Sequence, residues 1–121
     1  MNLIIEALFI GLYTSLLAII PMIGNIYIYL FIIGFFKHFI GYYIGFHNYY
    51  CINNNRKKAI DKYIIKDSLF EGLCFIILGN LIFKLFNFNK MISLFLIGFS
   101  FHIIADIIKL HSIFIKFRCD N

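Results

Sequence analysis

Charged residues interrupt this chain rarely, and the gaps between them have helical length. Leu3 to Ile20 carries one charge, Glu6, and Pro21 ends the run. Met22 to Phe36 carries none, and the apolar pattern continues past Lys37 and His38 to Phe46. A polar stretch from Asn53 to Asp67 follows. Leu69 to Leu85 is apolar but for Glu71, Asn80 and, at its end, Lys84; Met91 to Ile108 is apolar but for Ser93, Ser100, His102 and Asp106. A bilayer core of ~30 Å is crossed by ~20 helical residues. The pattern therefore predicts four transmembrane helices near 3–20, 25–46, 68–86 and 91–114. Nothing alternates with period two, and four short runs could not close a barrel, which excludes a β architecture.

The connections predict an all-α membrane protein of two helical hairpins. Pro21 to Asn25 and Asn87 to Lys90 are short enough for tight turns. The units are then residues 1–51, a basic linker 52–67, and residues 68–121. Arg56, Lys57, Lys58, Lys62 and Lys66 fall on the side of Lys116, Arg118 and the N-terminus, whereas the turn side has mainly Lys84 and Lys90. The positive-inside rule places both termini and the linker in the cytoplasm. The N-terminus lacks the basic region of a cleavable signal.

Composition agrees. Of 121 residues, 62% are hydrophobic and only 14% charged, with a net charge of +5 and a mean hydropathy of +0.89. A soluble domain this small cannot bury so much apolar side chain. Lys outnumbers Arg 9 to 2, and Val and Trp are absent. That skew belongs to an AT-rich coding sequence, so part of the Ile and Phe excess is a coding habit rather than packing.

The polar remainder repeats. Gly34 to Tyr42 aligns with Gly98 to Asp106 at an offset of 64, which pairs His38 with His102 and His47 with His111. Glu6 pairs with Glu71 at an offset of 65. The expectation is a duplicated hairpin with a pseudo-two-fold axis along the membrane normal. Small residues on the helix faces (Gly11, Gly34, Gly41, Gly45, Gly72, Gly79 and Gly98) mark packing surfaces, through which a homo-oligomer could also form.

Charge inside a membrane is costly and normally faces protein. Glu6, His38, Glu71, His102 and Asp106 form an intramembrane polar layer toward the linker end. His47 and His111 lie near the interface, nine residues from His38 and His102, which is about 180° around an unbroken helix. The leading reading is that buried hydrogen bonds in this layer fix helix register. A metal site at His102, Asp106 and Glu71 is a second, since i, i+4 spacing converges two ligands; Tyr42 removes the matching acid from the first half. Bis-histidine haem ligation by His38 and His102 is a third, and a proton or ion path through Glu6 and Glu71 a fourth.

Cys51 and Cys119 follow the second and fourth helices on one side, while Cys74 lies within the third. A Cys51–Cys119 disulfide and free or palmitoylated interfacial thiols both fit, depending on compartment. Tyr42, Tyr43, Tyr49 and Tyr50 read as an interfacial aromatic belt. The basic linker reads as an orientation signal, with anionic lipid or nucleic acid as further options.

Glu6-Ala7, Gly11 and Thr14, then Gly34-Phe35 with His38, and Gly45, His47, Tyr49, Tyr50 and Cys51 together resemble a group of small membrane proteins of nucleocytoplasmic large DNA viruses, the mimivirus-like giant viruses included. That family's pattern is an early Glu-Ala…Gly…Thr helix and a G-F-x-x-H-x-x-x-E-x-x-G-x-N-x-W-Y-C helix end. This chain has Tyr42 for the Glu, His47 for the Asn and Tyr49 for the Trp. Its second half keeps Gly98-Phe99, His102 and Asp106, with Lys109 for the Gly and Ile115 where Cys51 would align. The resemblance implies a virus-encoded membrane or virion-membrane component of no established activity. The expectation is thus a structural or assembly protein whose partner is the lipid bilayer, with no cofactor, no small-molecule substrate and no specific nucleic-acid binding.

Overall fold

The computed structural model describes residues 2–86 and 89–121. Among the described residues every element is helical and no strand occurs: α1 (Leu3–Leu16, extended by a 3-10 turn, Leu17–Ile19), α2 (Ile26–Tyr43), α3 (Phe46–Asn53), α4 (Ile64–Leu85), α5 (Lys90–Ile107) and α6 (Leu110–Arg118). Three of these, α2, α4 and α5, are long and apolar enough to cross a membrane, while α1 is shorter. Asn87 and Phe88 of the expected second turn lie outside the described residues.

Helix starts follow from asparagine. Asn25 Oδ1 accepts the Ile28 N–H at 3.0 Å and Asn89 Oδ1 accepts the Ile92 N–H at 2.9 Å. Each satisfies one of the unpaired N–H groups that every helix start exposes.

Helix ends differ from expectation. The runs 25–46 and 91–114 are not single helices: α2 stops at Tyr43 and α5 at Ile107. Gly45 (φ +96°) and Lys109 (φ +63°) take the left-handed conformation and turn the chain into α3 and α6. Gly45 suits that conformation because it has no Cβ. Hydrophobic periodicity continues across both breaks, so it carried no trace of them.

The helices pack mainly across the expected hairpins rather than within them. α2 packs most extensively on α4 and α1 on α5, with α4 against α5 next; α1 and α2, consecutive in the chain, share little contact. Glycines allow the close approach. A Cβ on Gly72 would fall 2.8 Å from the Phe31 ring, and one on Gly11 2.9 Å from the Phe95 ring. On Gly34 it would meet the Glu71 carbonyl at 2.8 Å, on Gly98 the side chain of Thr14, and on Gly79 Leu30. Gly41 and Gly45 do not belong to this set. Gly41 has ordinary clearance and nothing lies within 4 Å of a Cβ on Gly45, whose role is the bend.

The core occupies the half of the bundle away from the linker. Leu17, Tyr29, Leu30, Ile33, Phe75, Ile82, Leu94 and Ile97 form one buried cluster. The outside is apolar too: Leu12, Leu16, Ile19, Phe70, Leu73, Ile77, Leu81 and Ile107 are all exposed. Contiguous apolar surface of this extent fits lipid, not water.

At the other end the linker and the C-terminal segment are clipped together. Cys51 and Cys119 form a disulfide, Cα atoms 5.7 Å apart, so of the two thiol options the structure takes the bond. Ala59 and Cys119 form an antiparallel bridge pair. Ile60 N–H donates to Arg118 O and Asp120 N–H to Lys58 O, each at 2.8 Å. Arg118 grips Asp67 with two hydrogen bonds, Nε to Oδ2 at 2.6 Å and an Nη to Oδ1 at 3.0 Å. This charge-assisted fork raises the Arg118 pKa.

Candidate functional site

The polar layer resolves into two clusters, one for each major helix pair. On the α2–α4 side, Glu71 is buried, with its side chain 7% exposed. It takes Lys37 Nζ on one oxygen and His38 Nδ1 on the other, the latter at 2.7 Å. The Lys37 ammonium also stands 5.6 Å from the centre of the Phe101 ring and 5.9 Å from that of Phe75. Tyr13 of α1 donates its hydroxyl to the Lys37 carbonyl at 2.7 Å, which joins α1 to α2.

On the α1–α5 side, His102 Nε2 meets Glu6 Oε2 at 3.3 Å, and Glu6 is 25% exposed. His111 Nδ1 meets Asp106 Oδ1 at 3.3 Å, and Asp106 is 47% exposed. Glu6 and Asp106 line a cleft of about 220 Å³ with Leu3, Tyr50, Asn53 and Asn54. Burial, then the charges of Glu6 and Asp106, push the Tyr50 hydroxyl up to about 12, so it stays protonated beside them.

The two bends bring the outer histidines back onto the inner ones. His47 lies 4.5 Å from His38 and His111 lies 4.6 Å from His102, ring centre to ring centre. The half-turn separation of sequence spacing holds only for an unbroken helix, and Gly45 and Lys109 break both. α3 and α6 then interlock through His47 against Phe114 and Tyr50 against His111. Burial chiefly, with His38 beside it, pushes the His47 pKa down to about 3. His47 is therefore neutral in the folded protein at ordinary pH.

Not all expected groupings form. Glu71 belongs to His38, and His102 to Glu6 on the other helix pair, so His102, Asp106 and Glu71 do not converge. Among the described residues no three His, Cys, Asp or Glu side chains are grouped to hold a metal ion. His38 and His102 each engage a carboxylate, which is a clasp between helices and not a pair of free ligands awaiting haem.

The matching of the acids also changes. The contacts Gly72–Phe31 and Gly34–Glu71 correspond to Gly11–Phe95 and Gly98–Ile10. This relates α4 to α1 by an offset of 61, against 64 for α5 and α2. Glu71 is then level with Ile10, and Glu6 sits four residues, about 6 Å, nearer the linker end. Each Glu therefore reaches its His from a different depth, at 2.7 Å for Glu71 and 3.3 Å for Glu6.

Four residues escaped sequence reasoning as partners: Lys37, Tyr13, Asp67 and Arg118. Lys37 had a readable signal, because a lone cation within an apolar run needs an anion at its own depth.

The fold and these clusters define the class as an all-helical protein with helices suited to a membrane. No family model, curated protein or solved structure matches the chain.

Proposed function

We propose that this protein is a structural component of a membrane: a four-span bundle of two duplicated hairpins, held together across the hairpins by Glu–His clasps. The observation that carries the structural role is the way the intramembrane charge is used. Glu6 and Glu71 are each bound to a histidine on a different helix. Beyond them the other half of the bundle is filled mainly by buried Leu, Ile and Phe side chains, with Tyr29 among them. Charged groups thus stop part-way, and the polar groups beyond them are the neutral hydroxyls of Thr14, Ser15, Tyr29 and Ser93, which give a continuous path for ions no charged continuation through that core. The duplication is supported by the matched glycine–phenylalanine contacts, the matched Asn25 and Asn89 caps and the two His–His pairs. The α1 span would complete the fourth crossing with its 3-10 turn.

The setting we propose is a viral membrane, in the virion or the site where it forms, on the strength of the Glu6-Ala7 and Gly34-Phe35 to Cys51 resemblance. The basic linker side is proposed to face the cytoplasm. A disulfide on that side is uncommon in reducing cytosol, but Cys51 and Cys119 are 0% and 5% exposed, which denies reductants access.

Reconstitution in vesicles tests the structural role. Proton and cation flux should equal that of empty vesicles, and Glu71→Gln should leave it unchanged while lowering resistance to unfolding in detergent. Flux that Glu71→Gln abolishes would overturn the role in favour of a conductor. Absence from purified particles, with normal assembly when the gene is lost, would overturn the viral setting.

A further inference from the structure

α6 uses one face and leaves the other open. Inward, His111 and Phe114 meet the rings of α3 and Arg118 holds Asp67. Outward, at 100° per residue, Ser112 and Lys116 fall within roughly 40° of one another, and the exposed Lys109 stands in the bend at the start of the helix. Ile113 and Phe117 flank them, 51% and 53% exposed. The Lys116 ammonium rests 5.2 Å from the centre of the Phe117 ring. This is the distribution of a helix lying in a membrane interface, with apolar side chains toward the acyl layer and lysines at headgroup level.

Two further observations give the arc a charge preference. Lys109 occupies the bend in a left-handed conformation that a residue with a side chain enters only at a cost. The equivalent bend is made by Gly45. Among the described residues no hydrogen bond or ion pair engages the Lys109 side chain, so nothing within the chain offsets that cost. Moreover, Lys57, Lys58, Lys62 and Lys66 are exposed at the same end, against the exposed acids Asp61 and Asp106. The orientation of α6 is fixed by the Cys119 disulfide and by the Arg118 fork.

We propose that the outer arc of α6 binds the headgroup of an anionic phospholipid, with Lys109 and Lys116 on its charged oxygens and Ile113 and Phe117 beside its acyl chains. The exposed apolar pair selects a lipid over a nucleic acid, which would leave Ile113 and Phe117 in water. The proposal rests on the membrane reading but not on the structural role.

The test is a titration of the detergent-purified full chain with dihexanoyl phosphatidylserine and dihexanoyl phosphatidylcholine, read by native mass spectrometry. Phosphatidylserine should bind more tightly, with a preference that shrinks as salt rises. About 1 kcal/mol per basic residue near a membrane surface corresponds to roughly fivefold weaker phosphatidylserine binding for each lysine removed. Lys109→Gln and Lys116→Gln should each show that loss, whereas Lys84→Gln with Lys90→Gln, at the opposite end, should show none. Should Lys109→Gln disturb the bend, Lys116→Gln alone decides. Equal binding of both lipids would overturn the proposal. So would a preference carried by Lys57 and Lys58 and indifferent to α6, or displacement of the lipid by a single-stranded RNA of comparable affinity. Failure of the membrane reading itself would show separately, as extraction of the protein from phosphatidylcholine vesicles by alkaline carbonate.

Discussion

The two carboxylate–histidine clusters have the same inner and outer histidines yet opposite characters. Lys37, Glu71 and His38 form a closed, charge-balanced knot. Glu6, His102, His111 and Asp106 form an open string at the edge of a cleft. Two exchanges separate them: Phe101 stands on α5 where Lys37 stands on α2, and Asp106 stands where Tyr42 stands. Depth explains why both exchanges are tolerated. Glu71 sits about one turn deeper than Glu6, where an unbalanced carboxylate would be far more costly, so it has an ammonium as well as an imidazole. Glu6 and Asp106 reach solvent at the cleft and need none.

Removing each acid probes that contrast most strongly. Glu71→Ala strands the Lys37 cation in a buried site and should cost about 3–5 kcal/mol. Glu6→Ala removes a partly solvated partner and should cost about 1 kcal/mol or less. Unfolding by denaturing detergent measures both, and equal losses would erase the distinction between the clusters.

Acid should act through the closed side. His47 has a folded pKa of about 3 against an ordinary 6.5, so between these values the unfolded chain binds the extra proton. Stability should be complete above pH 6.5 and fall as pH drops from there toward 3. Its surroundings include His38, Lys37, Glu71 and Asp67. His47→Phe should flatten the pH dependence of the unfolding midpoint in that window; an unaltered slope would place the titrating group elsewhere.

The bends give a smaller contrast of opposite sign. Gly45→Ala forces a Cβ into left-handed backbone and should destabilise by about 1–2 kcal/mol, and Lys109→Gly should stabilise by about 1 kcal/mol. Thermal melts of the two variants should therefore move in opposite directions. Ser68→Ala should have the smallest effect. The Ser68 hydroxyl is buried and has no hydrogen-bond partner among the described residues, and Ala7 holds the corresponding place on α1 at the offset of 61. Substitution should be neutral or stabilising by up to about 1 kcal/mol.

Much of the helical layout was legible because apolar length and turn residues are local signals. Asn25 and Asn89 stand where helix starts fall, and the long apolar runs, each broken by only one or two charges, overlap α2, α4 and α5. The bends were not legible: Lys109 has no propensity for left-handed backbone, and the i, i+4 pattern runs through it. Pairing was half legible. Helical spacing reports which residues share a face of one helix, so it joined His102 to Asp106. The actual partners, Glu6 for His102 and Glu71 for His38, come from neighbouring helices whose relative height is set by where Gly11 and Gly72 let phenylalanines approach. A one-turn shift between the helix pairs has no counterpart in the spacing of either helix alone.

The Cys51–Cys119 bond also imposes a parity. Two bonded residues occupy the same side of any membrane the chain inhabits, so the segment between them crosses an even number of times. That segment contains α4 and α5, which must therefore cross together or not at all. Once the bond has formed, neither helix can leave the bilayer or invert alone, and the second half of the chain is locked as an out-and-back excursion whichever face it started from.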